Sequence, residues 1–115
     1  MRMWMVDPRG MCRKHLLGEH VELHMWIGHL KRKRGLDGYV KNNCIEMVSI
    51  YQRHEELTAE MIRRGYNHKS PLEPMDTACV YYYDQHYRDV KVDRERALND
   101  LTTRCDECRR GFATI

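Results

Sequence analysis

The segment MCRKHLLGEHVELHMWIGHLKRKRG, residues 11–35, decides the fold because its apolar residues recur at helical spacing. One stripe has intervals of three and four residues, the period of one face of an α-helix, and consists of Leu16, His20, Leu23, Ile27 and Leu30. This pattern predicts one long helix from about residue 11 to residue 34. Gly35 follows a basic run and is placed to end the helix.

Two further helices are predicted downstream. One covers residues 49–64 and ends at Gly65, and its buried stripe is expected to contain Ile50, Leu57, Met61 and Ile62. The other runs from an Asp93 N-cap to about residue 104. Residues 39–43 and 67–74 are predicted to be loops. Residues 79–83 are too few to distinguish strand from helix, and residues 105–115 form either a short helix or an irregular tail. We therefore expect an all-α, compact single domain over residues 1–115, with about three helices joined by irregular loops.

Composition narrows the class of protein. The chain has 115 residues, enough for one domain, and its 42% hydrophobic and 32% charged residues are typical of a soluble globular protein. It contains no apolar run of about 18 residues that would span a membrane, and its first residues are too short for a signal peptide. We therefore expect a cytoplasmic protein with no membrane partner.

Basic residues are clustered although the net charge is only +3. Lys31, Arg32, Lys33 and Arg34 form one run, and Arg63 and Arg64 form one of several pairs. Such clusters favour a phosphate backbone as partner. The alternative is that they are solvated helix ends, where cations are stabilised by the helix dipole.

One sector of the first predicted helix groups reactive side chains. At 100° per residue this sector contains His15, Glu22, Trp26, His29 and Lys33, beside the apolar stripe. A carboxylate among histidines, a tryptophan and a lysine is a candidate reactive surface. The alternative is a solvated face with one partly packed tryptophan.

Three stretches resemble one known family. Residues 15–23, HLLGEHVEL, resemble the first-helix motif of the pyrimidine dimer DNA glycosylases, the phage-type endonuclease V family. Residues 59–67, AEMIRRGYN, are similar to the end of that family's second helix and the following turn, and residues 1–4 are similar to the start of its bacterial members. The order and spacing agree over roughly the first two thirds of the chain.

The resemblance implies a DNA-repair enzyme with two activities. It would bind duplex DNA that contains damaged or abasic sites, flip out a base, break the glycosidic bond and cut the backbone by β-elimination. The resemblance makes the α-amine of Met1 the nucleophile and Glu22 the assisting carboxylate, and it adds Arg2 and His15 to the DNA-binding residues. An α-amine is less basic than lysine, so a useful fraction is neutral at physiological pH and able to form an imine. This chemistry requires no cofactor. The resemblance also suggests a monomer that is either bacterial and nucleoid-associated or encoded by a phage.

The chain departs from the phage enzymes around the glutamate and at the C-terminus. Val21 and His24 stand where those enzymes carry basic residues, and the aromatic, basic tail is missing. A run of tyrosines is a candidate replacement stacking surface, although core packing is an equal interpretation; the run consists of Tyr81, Tyr82, Tyr83 and Tyr87. Base specificity is therefore left open by the sequence.

The cysteines suggest a second kind of site. Cys12-x-x-His15 and Cys105-x-x-Cys108 have zinc-like spacing, and together they would give a four-coordinate structural zinc. The same residues also permit a reduced Cys-x-x-Cys pair or a disulfide. A zinc ligand at position 15 would compete with the DNA-binding role that the resemblance gives to His15.

Three rival functions remain at this point. A non-catalytic DNA- or RNA-binding module would share the basic clusters without needing a free amine. A metal-dependent nuclease would use His20 and His24, spaced by four residues, together with Glu22. A glycosylase with the same mechanism would act on a different modified base.

Overall fold

The described part of the fold consists of α-helices, two short 3₁₀ helices at Pro8–Gly10 and Met47–Ser49, and irregular segments. A computed structural model describes residues 1–68 and 70–115, and in this part of the chain there are seven α-helices and no strand. In chain order the helices are α1 Arg13–Lys31, α2 Asp37–Lys41, α3 Ile50–Arg63, α4 Thr77–Tyr81, α5 Gln85–Arg88, α6 Arg94–Arg104 and α7 Asp106–Ala113. The all-α class is confirmed, and the expected number of about three helices is wrong.

Helix α1 is the centre of the fold, and it is shorter at both ends than predicted. It begins after Cys12, whose side chain caps the helix by accepting from the backbone N–H of His15. It ends at Lys31 rather than residue 34, because Lys33 adopts a left-handed backbone (φ 55°) that turns the chain before Gly35. The whole predicted stripe on α1 is buried, and its members are Leu16, His20, Leu23, Ile27 and Leu30.

Helix α3 packs across α1 through the predicted stripe, with one exception. Ile50, Leu57 and Met61 are buried, but Ile62 is 62% exposed, so the expectation that it joins the core is wrong. Residue 62 lies one position beyond Met61 and therefore points 100° away from the buried face. Gly65 follows the helix with a φ of 85°, a conformation that glycine adopts without steric cost.

A buried ion pair joins these two helices. Arg53 of α3 binds both carboxylate oxygens of Glu19 on α1, with Nε···Oε2 at 2.6 Å and a second N···O distance of 2.9 Å. Both side chains are at most 1% exposed. Arg53 also donates to the carbonyl of Val6, which fixes the N-terminal segment against the helix pair.

Three short helices occupy stretches for which the sequence predicted loops or left the type open. Residues 39–43 were predicted as loop, yet α2 contains most of them. Helix α4 begins after Asp76, whose carboxylate caps it by accepting from the N–H of Cys79. Helices of four or five residues have too few turns to show a hydrophobic period, so only the cap was a usable signal.

The C-terminal part agrees with the sequence more closely. Asp93 caps α6 as predicted, by accepting from the N–H of Arg96. Residues 105–115 contain a short helix, α7, which is one of the two alternatives. Within the described residues, no helix has the length and apolar character needed to cross a membrane.

Candidate active site

The N-terminal segment is held in the core, and this fixes where Met1 lies. The backbone N–H of Met3 donates to the carbonyl of Cys44 at 2.7 Å, and the Met3 side chain has no exposed surface. Trp4, Met5 and Val6 are also buried. Met3 is therefore a buried anchor two residues after Met1. Met1 itself is half-buried at the surface of the molecule.

Glu22 of α1 faces this terminus. Its Oε2 atom accepts from the backbone N–H of Arg2 at 3.3 Å. Burial raises the pKa of Glu22, while the Arg2 hydrogen bond and the positive α-amine oppose that rise without cancelling it. A half-buried carboxyl group that holds its proton more readily than an ordinary glutamate thus lies beside the N-terminal residue.

The side chain of Arg2 positions the terminus from the other side. Its guanidinium donates to Asp100 of α6 at 3.0 Å and lies over the Trp4 ring, 3.9 Å from the ring centroid. The side chains of Arg2 and Asp100 are 12% and 31% exposed. Arg2 is therefore engaged within the protein, and its predicted contact with DNA stays a prediction.

Met1 lies at the edge of an open depression of about 550 Å³. Its lining combines apolar, histidine and arginine side chains and includes Met1, Met25, His24, His29, Arg32 and Arg34. Lys31 is exposed nearby and pairs with Glu73, another lining residue, at 3.1 Å. We call Lys31, Arg32, Lys33 and Arg34 the basic rim; all four residues are exposed.

The other predicted basic residues lie elsewhere. Arg63 and Arg64 both bind the buried carboxylate of Glu60, at 2.5 and 2.7 Å. Arg64 also donates to the carbonyls of Pro8 and Met11, so it holds the turn that precedes α1. Their predicted contact with DNA is untested, but the structure gives both residues partners within the protein.

Trp26 does not lie beside the buried stripe. It is 0% exposed, with its ring 4.7 Å from Tyr39 of α2 and 5.5 Å from His29. The expected position of Trp26 on the candidate reactive surface is wrong, because α2, which was predicted as a loop, covers that side of α1. A contact of Trp26 with DNA, which the sequence also predicts, is untested. The Trp26 indole N–H is buried without a hydrogen-bond partner among the described residues.

His15 is likewise separated from Glu22. Its Nδ1 atom lies 3.1 Å from the sulfur of Cys12 and 3.7 Å from that of Cys108. The four predicted zinc ligands are thus brought together. His15 and Glu22 were predicted to share one sector of α1, but His15 lies among the cysteines and Glu22 lies beside the N-terminus. A role for His15 in DNA binding remains an untested prediction.

A histidine cluster lies between α1 and α3, and the sequence predicted only two of its members, His20 and His24. His20 packs against His54 of α3, and its Nε2 atom is 2.9 Å from that of His68. His24 lies beside them, with its ring centroid 5.1 Å from that of His20. The ligand atoms of His20, His54 and His68 lie within 4.8 Å of one another, and Glu22 is not in this group. The geometry therefore gives no support to a nuclease site built from His20, Glu22 and His24.

These features define an all-helical protein whose candidate active site is formed by its first residue, a helix-borne glutamate and a basic rim suited to an anionic polymer. The family model described as "Pyrimidine dimer DNA glycosylase" matches residues 1–74, and the chain belongs to this family. Met1, Glu22 and the basic rim lie inside the matched part, whereas α4 to α7 follow it. No curated protein and no solved structure matches the chain. Family membership makes the protein a DNA glycosylase and DNA with pyrimidine dimers its substrate class.

Proposed function

We propose that this protein is a bifunctional glycosylase and AP lyase that excises a damaged pyrimidine through an imine formed by the α-amine of Met1. The observation that carries the proposal is the juxtaposition of the N-terminal residue with Glu22, in which Arg2 N–H and Glu22 Oε2 are 3.3 Å apart. The family match supports the glycosylase reaction, and the lyase step is the added element.

The proposed reaction begins when the neutral amine of Met1 attacks C1′ of the damaged nucleotide. The C1′–N glycosidic bond breaks, and its electron pair leaves with the base, which takes up a proton. The C1′–O4′ bond then breaks as one proton passes from the Met1 nitrogen to O4′, which opens the sugar ring and leaves a protonated imine between C1′ and that nitrogen. This covalent intermediate divides one difficult step into two. Loss of a C2′ proton then expels the 3′ phosphate by β-elimination.

Glu22 would serve this sequence in two protonation states. As a carboxylate it stabilises the cationic imine and accepts protons, and as an acid it returns them. A raised pKa supports this role, because a group that titrates closer to neutral pH exchanges protons more readily there. Burial is the physical cause of the shift, and the neighbouring amine keeps the ionised form accessible.

The basic rim would hold the DNA backbone across the depression. Arg32 and Arg34 line the same depression as Met1, and Lys31 and Lys33 extend the positive surface beside them. Phosphate contacts of this kind fix the register of the duplex, and the target base must leave the stack before C1′ becomes accessible. A monomer would provide all the residues of this site.

Borohydride trapping on duplex DNA that carries one abasic site tests the proposal. Intact mass spectrometry first verifies that Met1 is the terminal residue. We expect a covalent protein–DNA band that disappears when only the α-amine is acetylated and that persists in chelator. A binding module would instead bind the DNA and leave it uncut with no covalent band, which would refute the lyase mechanism. A panel of duplexes with different lesions then separates a dimer-specific enzyme from one that acts on another modified base.

A further inference from the structure

The N-termini of α1 and α7 meet at a cluster of three cysteines and one histidine. Cys12 is the N-cap of α1 and Cys105 the N-cap of α7, while His15 and Cys108 lie in the first turns of the same helices. The four ligand atoms all lie within 4.8 Å of one another. We propose that this cluster, named here the Cys12 site, binds one structural zinc ion that fastens the C-terminal helices to the start of α1.

The distances fit tetrahedral zinc. Zn–S bonds of about 2.3 Å and Zn–N bonds of about 2.0–2.1 Å place neighbouring ligand atoms about 3.5–3.8 Å apart. Two distances match this spacing: the Cys12 and Cys105 sulfurs are 3.8 Å apart, and His15 Nδ1 lies 3.7 Å from the sulfur of Cys108. His15 Nδ1 and the sulfur of Cys12 are closer, at 3.1 Å, so zinc binding would widen this pair by about 0.4 Å. A disulfide requires about 2.05 Å between sulfurs and would use only two of the four groups.

Backbone N–H groups surround the sulfur atoms. The N–H of Cys12 donates to the sulfur of Cys108 at 3.3 Å, and the N–H of Cys108 donates to that of Cys105 at 3.4 Å. The N–H of His15 donates to the sulfur of Cys12 at 3.5 Å. Donors aimed at sulfur stabilise thiolates, the ionisation state that zinc requires, and they fix the orientation of each ligand.

The cluster has the character of a structural site. Four protein groups complete the usual coordination of zinc and leave no position open for a substrate. Cys108 is fully buried, and the other three ligands are partly buried. Helix α7 also packs closely against the turn that precedes α1, because Gly111 of α7 lies against the backbone of Gly10, where a larger side chain would collide.

The location explains what the ion would do. Cys12 and His15 belong to the part of the chain that matches the family model, and Cys105 and Cys108 lie beyond it. Cys105 also forms the corner between α6 and α7, and α6 carries Asp100, which binds Arg2 next to Glu22. A zinc ion here would hold the C-terminal segment in the place from which it supports the N-terminus. The inference does not depend on the proposed function.

Metal analysis of the whole chain tests the inference. Protein purified under reducing conditions with zinc present, without a metal-binding tag, should contain one zinc ion per chain by mass spectrometry. The Cys105→Ser/Cys108→Ser variant should lose it, and the matched Cys44→Ser/Cys79→Ser control, which alters cysteines outside the cluster, should retain it. Zinc retained by the first variant would place the metal elsewhere, for example at the histidine cluster, and would overturn the proposal.

Cobalt substitution covers the case in which the variant does not fold. Anaerobic titration of the metal-free wild-type chain with Co(II) should give the intense visible bands of tetrahedral coordination together with sulfur-to-metal charge transfer. The melting temperature should also rise when zinc is restored, because an ion that binds only the folded state stabilises it. Absence of the thiolate bands, or a disulfide between Cys12 and Cys105 in the protein as purified under reducing conditions, would refute the zinc site.

Discussion

Glu22 illustrates at the scale of one residue how the burial of a carboxyl group lowers stability at neutral pH. Burial raises the pKa of its carboxyl group, so the folded protein binds this proton more tightly than the unfolded chain does. Stability from this group is complete below the unfolded pKa and falls as the pH rises through the folded pKa. At neutral pH the ionised Glu22 therefore destabilises the fold, although the proposed function requires this carboxylate.

Glu22→Gln should separate activity from stability. Removing the charge while keeping the shape should reduce single-turnover excision and β-elimination by about 10²- to 10⁴-fold, the usual contribution of a positioned acid–base group. The melting temperature at neutral pH should stay the same or rise, because the unfavourable buried charge is gone. Scanning calorimetry and quenched kinetics on lesion-containing duplex DNA measure the two effects.

Glu55→Gln is the matched control for that experiment, since Glu55 is an exposed residue of α3. It should leave both rate and melting temperature unchanged. If Glu22→Gln instead lowers the melting temperature and retains its rate, Glu22 is a structural residue.

At the scale of elements, the pairing of α1 with α3 depends on the ion pair between Glu19 and Arg53. Glu19→Gln would leave a buried guanidinium without its main counter-charge, and breaking such a pair costs about 3–5 kcal/mol. Glu56 supplies the other carboxylate bound to Arg53, and the Glu56 side chain is 42% exposed. Glu56→Gln should therefore cost at most about 1 kcal/mol. Urea unfolding of both variants measures the difference. Equal losses would show that the buried pair contributes no more than the exposed one.

The histidine cluster makes the same interface sensitive to acid. Burial, together with the charges of the facing imidazoles of His54, His68 and His24, lowers the pKa of His20 to about 4. Unfolded histidine titrates near 6.5, so the unfolded chain takes up a proton first and stability falls as the pH drops from about 6.5 towards 4. The full shift corresponds to a loss of up to about 3 kcal/mol.

Urea unfolding across that pH range checks the prediction. His20→Gln should flatten the decline, whereas His86→Gln, which alters an exposed histidine of α5, should leave it unchanged. A wild-type protein whose stability is constant from pH 6.5 to 4.5 would contradict the assignment. Carboxylates held below their usual pKa by arginine, such as Glu60, contribute to acid loss mainly at lower pH.

The elements also show which features a sequence can reveal. Helices α1, α3 and α6 contain enough turns to display a period or a cap, so they were predicted to within a few residues. Trp26 was misplaced because the width of the buried face depends on α2, an element too short to predict. His54 and His68 join His20 only through tertiary packing. By contrast, Cys12, His15, Cys105 and Cys108 were predicted together because each pair lies within one helical turn.

At the scale of the whole molecule, binding to DNA should depend on where the charges lie rather than on their sum. A net charge of +3 on 115 residues gives a weak overall field, and many basic residues are neutralised by internal carboxylates, as Arg2, Arg53 and Arg64 are. The basic rim is exposed and lies along the depression that contains Met1. Affinity should therefore come from a small number of phosphate contacts next to the site.

Salt dependence measures those contacts directly. Each phosphate neutralised by a basic residue contributes about 0.9 to the slope of log K against log salt concentration. Arg32→Ala/Arg34→Ala should reduce that slope by about 2 and weaken binding to damaged and undamaged duplexes alike, because phosphate contacts carry no sequence information. Arg110→Ala, an exposed position on α7 outside the depression, should leave the slope unchanged. Fluorescence anisotropy over a salt series provides the slopes. If both variants reduce the slope equally, the duplex is held by the general charge of the molecule, and the basic rim has no special part in placing DNA at the amine.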